Sequence, residues 1–373
     1  MFLAFKEIRR NIVRFVSLAF AVGLLLFLVL FQQALRSGLL ASFVGGIRNQ
    51  TAPVIVYSVE AQRTLQGGLI TPDLEAQIAR TDGLGASARL GQGTFTVRVG
   101  DGEFTDAAII GIDNAQVSRP ATLVDGRLPA SAGEAVGNAA DFHLNDVVRV
   151  VQAHGDETVT ISVVGLADNV QLNVTPTLFT DFDTYAAAVW AVNPDAAEVL
   201  PNAILLEPKP GVSDQQLADA ANATSPDVDA VTRRVAADTA PGVKQVSQSF
   251  LLIFALYALV VPLVTGLFFL IWTLQKARSL VLLRAIGASA SVLVRAVLIQ
   301  VVLVTSFGIL IGTALYSMIA RGRVGGLSLD YDGGAVRLWT VAFLGLAVVG
   351  SLVSIRRVLR IDPIEATTGG GQR

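Results

Sequence analysis

Four stretches of the chain are nearly unbroken runs of apolar residues, and between the first two lies a long segment patterned differently. The runs cover residues 15–31, continuing at lower hydrophobicity to residue 40, then 250–274, 292–320 and 338–355. A helix needs roughly 20 mostly apolar residues to cross an apolar layer about 30 Å thick. Each run meets that length, so the pattern predicts four transmembrane helices. The first run follows Lys6, Arg9, Arg10 and Arg14, as a cleaved leader would. It is longer than a leader's apolar core, no small-x-small site follows, and Gln32, Gln33, Ala34, Leu35 and Arg36 continue it as helix. It is therefore read as a retained span.

Residues 45–244 alternate apolar and polar positions in short β-branched runs broken by turn signals. Strands are predicted at 54–59, 94–99, 107–112, 147–151 and 158–164, separated by turns such as Asp101-Gly102 and Asp125-Gly126. Helices are predicted at 73–80, with Thr71 as cap and Pro72 in the first turn, at 214–223, capped by Ser213, and at 181–192. The fold class is thus an integral membrane α-helical protein with four transmembrane helices and an inserted extracytoplasmic α+β domain. Its expected divisions are 1–44 (an amphipathic N-terminal helix, the first span and a stalk), 45–244 (the inserted domain) and 245–373 (a second stalk end, three spans and a tail). Segments 32–44 and 231–249 are helix-compatible and half apolar. They suit two stalks, bent at Pro241-Gly242 in the second; two flexible linkers are the other reading.

Charge orients this arrangement. Lys6, Arg9, Arg10 and Arg14, then Lys276, Arg278, Arg284 and Arg295, then Arg356, Arg357, Arg360 and Arg373 flank the spans, against only Glu7, Asp362 and Glu365. The 45–244 segment holds 25 acidic and 12 basic residues. Short basic loops stay in the cytosol, so both termini and the 276–290 connector are expected inside and the large domain outside. The short loop 321–337 carries three arginines against the rule, among which sit Asp330 and Asp332. Three basic clusters outweigh it, and the expected location is a bacterial cytoplasmic membrane.

Composition then narrows the chemistry. Only 16% of residues are charged and 52% are hydrophobic, away from the soluble norm. There is no cysteine, so disulfides and thiolate chemistry are excluded. No Walker-type phosphate loop, H-E-x-x-H or G-x-S-x-G occurs. The two histidines, His143 and His154, read as exposed loop residues. Asp330-Tyr331-Asp332-Gly333-Gly334 lacks the remaining ligands of a calcium loop and reads as a turn. Asp181/Asp183 and Asp227/Asp229 read as solubilising pairs. The basic residues lie at membrane edges rather than in a patch, which argues against nucleic acid. Gly308-x-x-x-Gly312 allows close helix approach, within one chain or across a dimer. Arg295 is placed to snorkel to the cytosolic interface. No span carries Asp or Glu, so a proton- or sodium-coupled relay inside the membrane is not expected.

Residues 274–300 read LQKARSLVLLRAIGASASVLVRAVLIQ. This is a charged start, a short amphipathic helix, Gly287 and a small-residue run leading into the third span. The segment closely resembles the signature of the FtsX-like, MacB-type (type VII) ABC transporter permeases. The tail Arg356-Arg357-Val358-Leu359-Arg360-Ile361-Asp362-Pro363-Ile364-Glu365-Ala366 resembles that family's ending. Within the domain, Gly126-Arg127-Leu128-Pro129, Leu144-Asn145-Asp146-Val147-Val148 and Val163-Val164-Gly165 are similar to its outer-domain pattern. The resemblance covers essentially the whole chain and implies a MacB-like periplasmic core domain. The chain lacks the acid near 276–279 and the Glu near Gln300 that many members carry. This moves the resemblance toward haem-exporter and glycolipid-exporter (DevC-like) permeases and away from lipoprotein-releasing ones.

What the resemblance implies is a non-enzymatic permease subunit, working as a homodimer with a cytosolic ABC ATPase dimer. That partner holds ATP and Mg²⁺; no cofactor is expected in this chain. ATPase coupling is assigned by the resemblance to Arg278, Leu282, Leu283, Arg284, Ala285, Ile286, Gly287 and Ala288. Motion would pass through the stalks to the outer domain, a mode called mechanotransmission, and act on a hydrophobic or amphiphilic substrate: haem, lipid, peptide or drug. Tyr257, Tyr316 and Met318 are the weak candidates for a haem contact. The N-terminal stretch, with Phe2, Phe5, Ile8 and Ile12 on one side and Lys6, Arg9 and Arg10 on the other, would lie against membrane lipids. The alternative is a non-transporting FtsX-like regulator of an extracytoplasmic enzyme.

Overall fold

The computed structural model describes residues 12–152, 157–275, 289–320, 322–324, 327–329 and 331–359. The chain divides into two compact units: residues 1–37, 248–324 and 329–373 form one, and residues 38–247 with 325–328 the other.

The first unit holds the membrane helices. Its helices are α1 (Ile12–Arg48), α6 (Val243–Gln275), α7 (Ala290–Ile319) and α8 (Gly333–Leu359), the first two extending beyond the unit boundary. All four are long and apolar enough to cross a membrane. The fourth begins earlier than its apolar run, because Asp332 caps it: its carboxylate accepts the Gly334 and Ala335 N–H groups at 2.8 and 3.0 Å. Asp332 thus has a capping role in the segment read as a plain turn; Asp330 lies outside the described residues.

The second unit is built on a ten-stranded sheet. Strands β1 (Val54–Ser58), β2 (Leu84–Val99), β3 (Phe104–Ile112), β4 (Leu123–Gly126), β5 (Glu134–Asn138), β6 (Val147–Val151), β7 (Glu157–Ala167), β8 (Thr177–Asp181), β9 (Ala203–Pro208) and β10 (Val228–Thr232) alternate with α2 (Pro72–Ile78), α3 (Phe182–Val192), α4 (Asp214–Asn222) and α5 (Arg233–Thr239). The three helices predicted in this domain form where their caps put them. Thr71 accepts the Leu74 N–H, Asp181 the Thr184 N–H, and Ser213 makes a reciprocal capping box with Gln216.

Two subassemblies share the long strand β2. Its first half continues an antiparallel sheet in the order β10-β1-β9-β2. Val54, Val56, Ile204 and Leu206 face α2 and α4 across one face, meeting Leu74, Ile78, Leu217 and Ala221. The opposite face, with Ile55, Tyr57, Leu90 and Leu205, is covered by Val44 and Ile47 of α1 and Ala236 and Ala237 of α5. The second half of β2 enters a closed ring, β2-β3-β8-β5-β7-β6, in which β3–β8 and β5–β7 are parallel. Alternate residues of every strand point into it: Val97, Ile109, Ala135, Val148, Ile161 and Leu178 are all fully buried. Phe182, Tyr185 and Ala188 of α3 pack in the same cluster.

Three expectations need correction. The segment 231–249 is not one helical stalk: β10 ends at Thr232, α5 spans Arg233–Thr239, and α6 begins at Val243. Gly242 between them has φ 87, a left-handed conformation that breaks the helix at the anticipated Pro-Gly bend. Asp229 is not merely solubilising, because Arg63 donates to both its oxygens at 2.7 and 3.0 Å. Nor is Asp181, the cap of α3. Arg63 lies 166 residues from Asp229, beyond the reach of local charge patterning, whereas the Thr184 partner of Asp181 is three residues on.

Candidate functional site

The coupling residues inferred from the resemblance, Arg278, Leu282, Leu283, Arg284, Ala285, Ile286, Gly287 and Ala288, lie outside the described residues. The helices on either side are described. α6 runs to Gln275, and α7 starts after Ser289, whose extended backbone (φ −69, ψ 148) marks the N-cap. The connector therefore joins two helices of spanning length.

Those helices pack through glycine. At the crossing of α1 and α7, a Cβ on Gly308 would lie 2.8 Å from the Ala19 carbonyl oxygen, and one on Gly312 would lie 2.5 Å from that of Gly23. Gly308-x-x-x-Gly312 is thus used within one chain. Without a hydrophobic drive between helices in lipid, such close backbone approach supplies the packing. α6 and α8 meet likewise: a Cβ on Gly350 would lie 2.4 Å from the Pro262 carbonyl oxygen, and one on Gly266 2.7 Å from that of Gly350. Pro262 removes a helical N–H donor inside α6, and the Thr265 hydroxyl donates to the Val261 carbonyl one turn away. Gly23, Gly266 and Gly350 are single small residues in apolar runs, a signal present in the sequence but unassigned without knowledge of which helices neighbour each other.

Polar groups in this unit are few. Gln300, Thr305 and Ser351 are buried, and among the described residues the Thr305 and Thr313 hydroxyls have no hydrogen-bond partner. Arg295 is exposed. Of the weak haem candidates, Tyr316 is buried and its hydroxyl accepts the Asp332 N–H at 3.3 Å, with its ring 5.5 Å from that of Tyr331. Its hydroxyl therefore helps position the start of α8. Met318 is 81% exposed and Tyr257 half-buried, so neither is enclosed by this chain.

The sheet-bearing unit supplies a second feature that the sequence did not single out. Loops 113–120 and 128–132 and the junction of β8 with α3 enclose a cleft of about 300 Å³. His143, by contrast, is a surface residue, 89% exposed; His154 lies outside the described residues. Among the described residues no three His, Cys, Asp or Glu side chains converge as a metal site would need.

Four helices of spanning length and one large mixed α/β domain inserted after the first define a multi-span membrane protein. Over its full length the chain is similar to proteins named as the hemin transport system permease HrtB in two strains of Staphylococcus epidermidis, at 23% identity covering 100% of both chains in each case. A protein of the same name from Staphylococcus haemolyticus is 30% identical over 119 residues, 32% of this chain and 34% of that one. No protein-family model matches the chain. Among solved structures, the periplasmic region of MacB from Actinobacillus actinomycetemcomitans aligns at TM-score 0.36 and 13% identity, covering 53% of this chain and 96% of that one. The extracellular domain of the noncanonic ABC-type transporter YknZ aligns at TM-score 0.31 and 12% identity, covering 49% and 100%. The end-to-end similarity to the hemin-system permeases bears out the FtsX-like, MacB-type permease resemblance carried by residues 274–300.

Proposed function

We propose that this chain is the permease subunit of an ATP-driven ABC exporter that works by mechanotransmission on an amphiphilic substrate of the hemin type. The observation that carries the reading is the match to hemin-system permeases over the whole of both chains. A chain with no phosphate loop of its own needs a separate ATPase. Two copies of the permease and two ATPase subunits form the working assembly, with both termini and the connector cytosolic, as the flanking Lys and Arg residues support. ATPase closure pushes on Arg278, Leu282, Leu283, Arg284, Ala285, Ile286, Gly287 and Ala288. Leucine and isoleucine there bring apolar side chains for docking, and the arginines bring charge. The displacement of α6 and α7 is then carried to the outer domain.

The test is co-purification with a co-expressed cytosolic ABC ATPase from the same organism, followed by ATP turnover with and without hemin. Hemin should stimulate turnover, and Arg284→Glu and Gly287→Glu should each abolish ATPase association while leaving the chain in the membrane. Intact association and hemin-dependent turnover in both variants would overturn the coupling assignment. Association with ATP turnover but no movement of any amphiphile, together with capture of an extracytoplasmic hydrolase, would favour the regulatory alternative.

A further inference from the structure

The cleft of this unit combines apolar lining with a one-sided charge. Ile112, Phe179, Leu128 and Pro129 line it with Asp113, Asp181 and Asp183, and Arg119 is the single cation among the lining residues. The walls are held in place. Ala130 N–H donates to Glu134 at 2.9 Å and Gly133 N–H to the Thr184 hydroxyl at 2.8 Å, which ties loop 128–132 to the start of α3. Thr51 and Arg119 exchange two hydrogen bonds, at 2.9 and 3.1 Å, and the Ser118 hydroxyl donates to Gln50 at 2.7 Å, which fixes loop 113–120. The cleft is therefore formed before any ligand arrives.

Its charges are unequally committed. Both Asp181 oxygens receive hydrogen bonds at the start of α3, from the Thr184 N–H and hydroxyl at 2.9 and 2.7 Å. Asp113 accepts one backbone N–H, from Arg89 at 2.8 Å, and desolvation raises its carboxyl above the ordinary value. Arg89 forms a bidentate pair with Glu75, and its charge also favours the ionised form of Asp113. Asp183, in the first turn of α3, is exposed. Arg119, whose guanidinium donates to the Ala115 carbonyl at 3.4 Å, offsets one carboxylate of the three.

We infer that this cleft is a binding site for a small organic cation with an apolar body. A volume of about 300 Å³ lies at the lower end of small-molecule sites. The apolar lining residues take a ring or short chain, and the excess negative charge takes an ammonium group. The carboxylates would repel an anionic amphiphile such as hemin, so this site is separate from the proposed export path and stands without it.

Calorimetry on the full chain in nanodiscs, with empty nanodiscs subtracted, tests it using phenyltrimethylammonium. Saturable binding is expected, weakening as salt screens the charges. Tetramethylammonium, the charge without the ring, and benzyl alcohol, the ring without the charge, should each bind roughly tenfold more weakly or not at all. Asp183→Asn and Asp113→Asn should each weaken phenyltrimethylammonium by roughly 3- to 10-fold with melting unchanged. Should Asp113→Asn disturb folding, the exposed Asp183→Asn carries the test alone. Absence of saturable heat, equal binding of benzyl alcohol, or an unaltered affinity in Asp183→Asn would overturn the site. None of these outcomes depends on the ATPase, so failure here leaves the permease reading standing, and the reverse holds too.

Discussion

Gly23 of α1 and Gly308 of α7 meet backbone to backbone: a Cβ on Gly23 would lie 2.9 Å from the Gly308 carbonyl oxygen and 3.1 Å from the Ile311 side chain. No rotamer relieves that contact, because one side of it is main chain. Gly308→Leu is expected to separate α1 from α7 and to destabilise the membrane unit by about 1–3 kcal/mol, the usual range for overpacking. Gly345→Ala is the control, since nothing lies within 4 Å of a Cβ there. Thermal unfolding of the detergent-solubilised chain measures both. Equal melting of the two variants would show that the crossing does not hold the helices together.

Tyr185 occupies the space that the cross-strand pair Gly91 and Gly111 leaves open; Cβ atoms on these glycines would lie 2.2 and 2.3 Å from its side chain. Its hydroxyl lies 3.3 Å from both the Gln92 carbonyl and the Asn202 side-chain oxygen. Gly111→Ala should therefore cost more stability than Tyr185→Phe, for which about 1 kcal/mol is expected from the lost hydrogen bond. Burial also pushes the Tyr185 hydroxyl from 10.0 up to about 12. Because the folded value is raised, its contribution to stability is complete below pH 10 and is lost as pH rises toward 12. Alkaline unfolding followed by phenolate absorbance checks this, with Tyr185→Phe losing that pH dependence.

Glu134 lies at the other extreme. The Arg127 guanidinium grips its carboxylate with two hydrogen bonds, one of 2.7 Å, and the Ala130 N–H adds a third, holding its pKa down at about 2 against an ordinary 4.5. A depressed carboxylate stabilises the fold above its unfolded value, and that contribution fades as pH falls from 4.5 toward 2. An NMR titration should find the Glu134 midpoint near 2, and Arg127→Ala should return it toward the ordinary range. A midpoint unchanged by Arg127→Ala would show that the pair does not set it.

Gly242 stands between α5 and α6 at φ 87 with only the edge of Phe43 within 4 Å of a Cβ, at 3.9 Å. Space is therefore no obstacle to a side chain there, and conformation is. Gly242→Ala should cost about 1–2 kcal/mol, the penalty of a left-handed conformation for an L-residue. Gly345→Ala, free of that strain, should not. Chemical denaturation of the full chain distinguishes them.

Much of this architecture was legible in the chain itself. The spans could be read because lipid demands some 20 apolar residues in a row, and that is a local property. The helix starts at Thr71, Asp181 and Ser213 were equally readable, since a cap and the N–H it receives lie three residues apart. Strands β4, β5, β8, β9 and β10 were not. They are four to six residues long, and their identity depends on partners far along the chain, as Thr232 depends on Val54 and Thr177 on Ala108. The ring closes only because β6 pairs with both β2 and β7. The same distance in sequence hid the Arg63–Asp229 pair and the three-walled cleft. Sequence alone thus determined which segments enter the membrane, through composition over a window. Tertiary structure decided which glycines touch, which carboxylates are paired and where a cleft opens, because each of these requires two distant segments to meet.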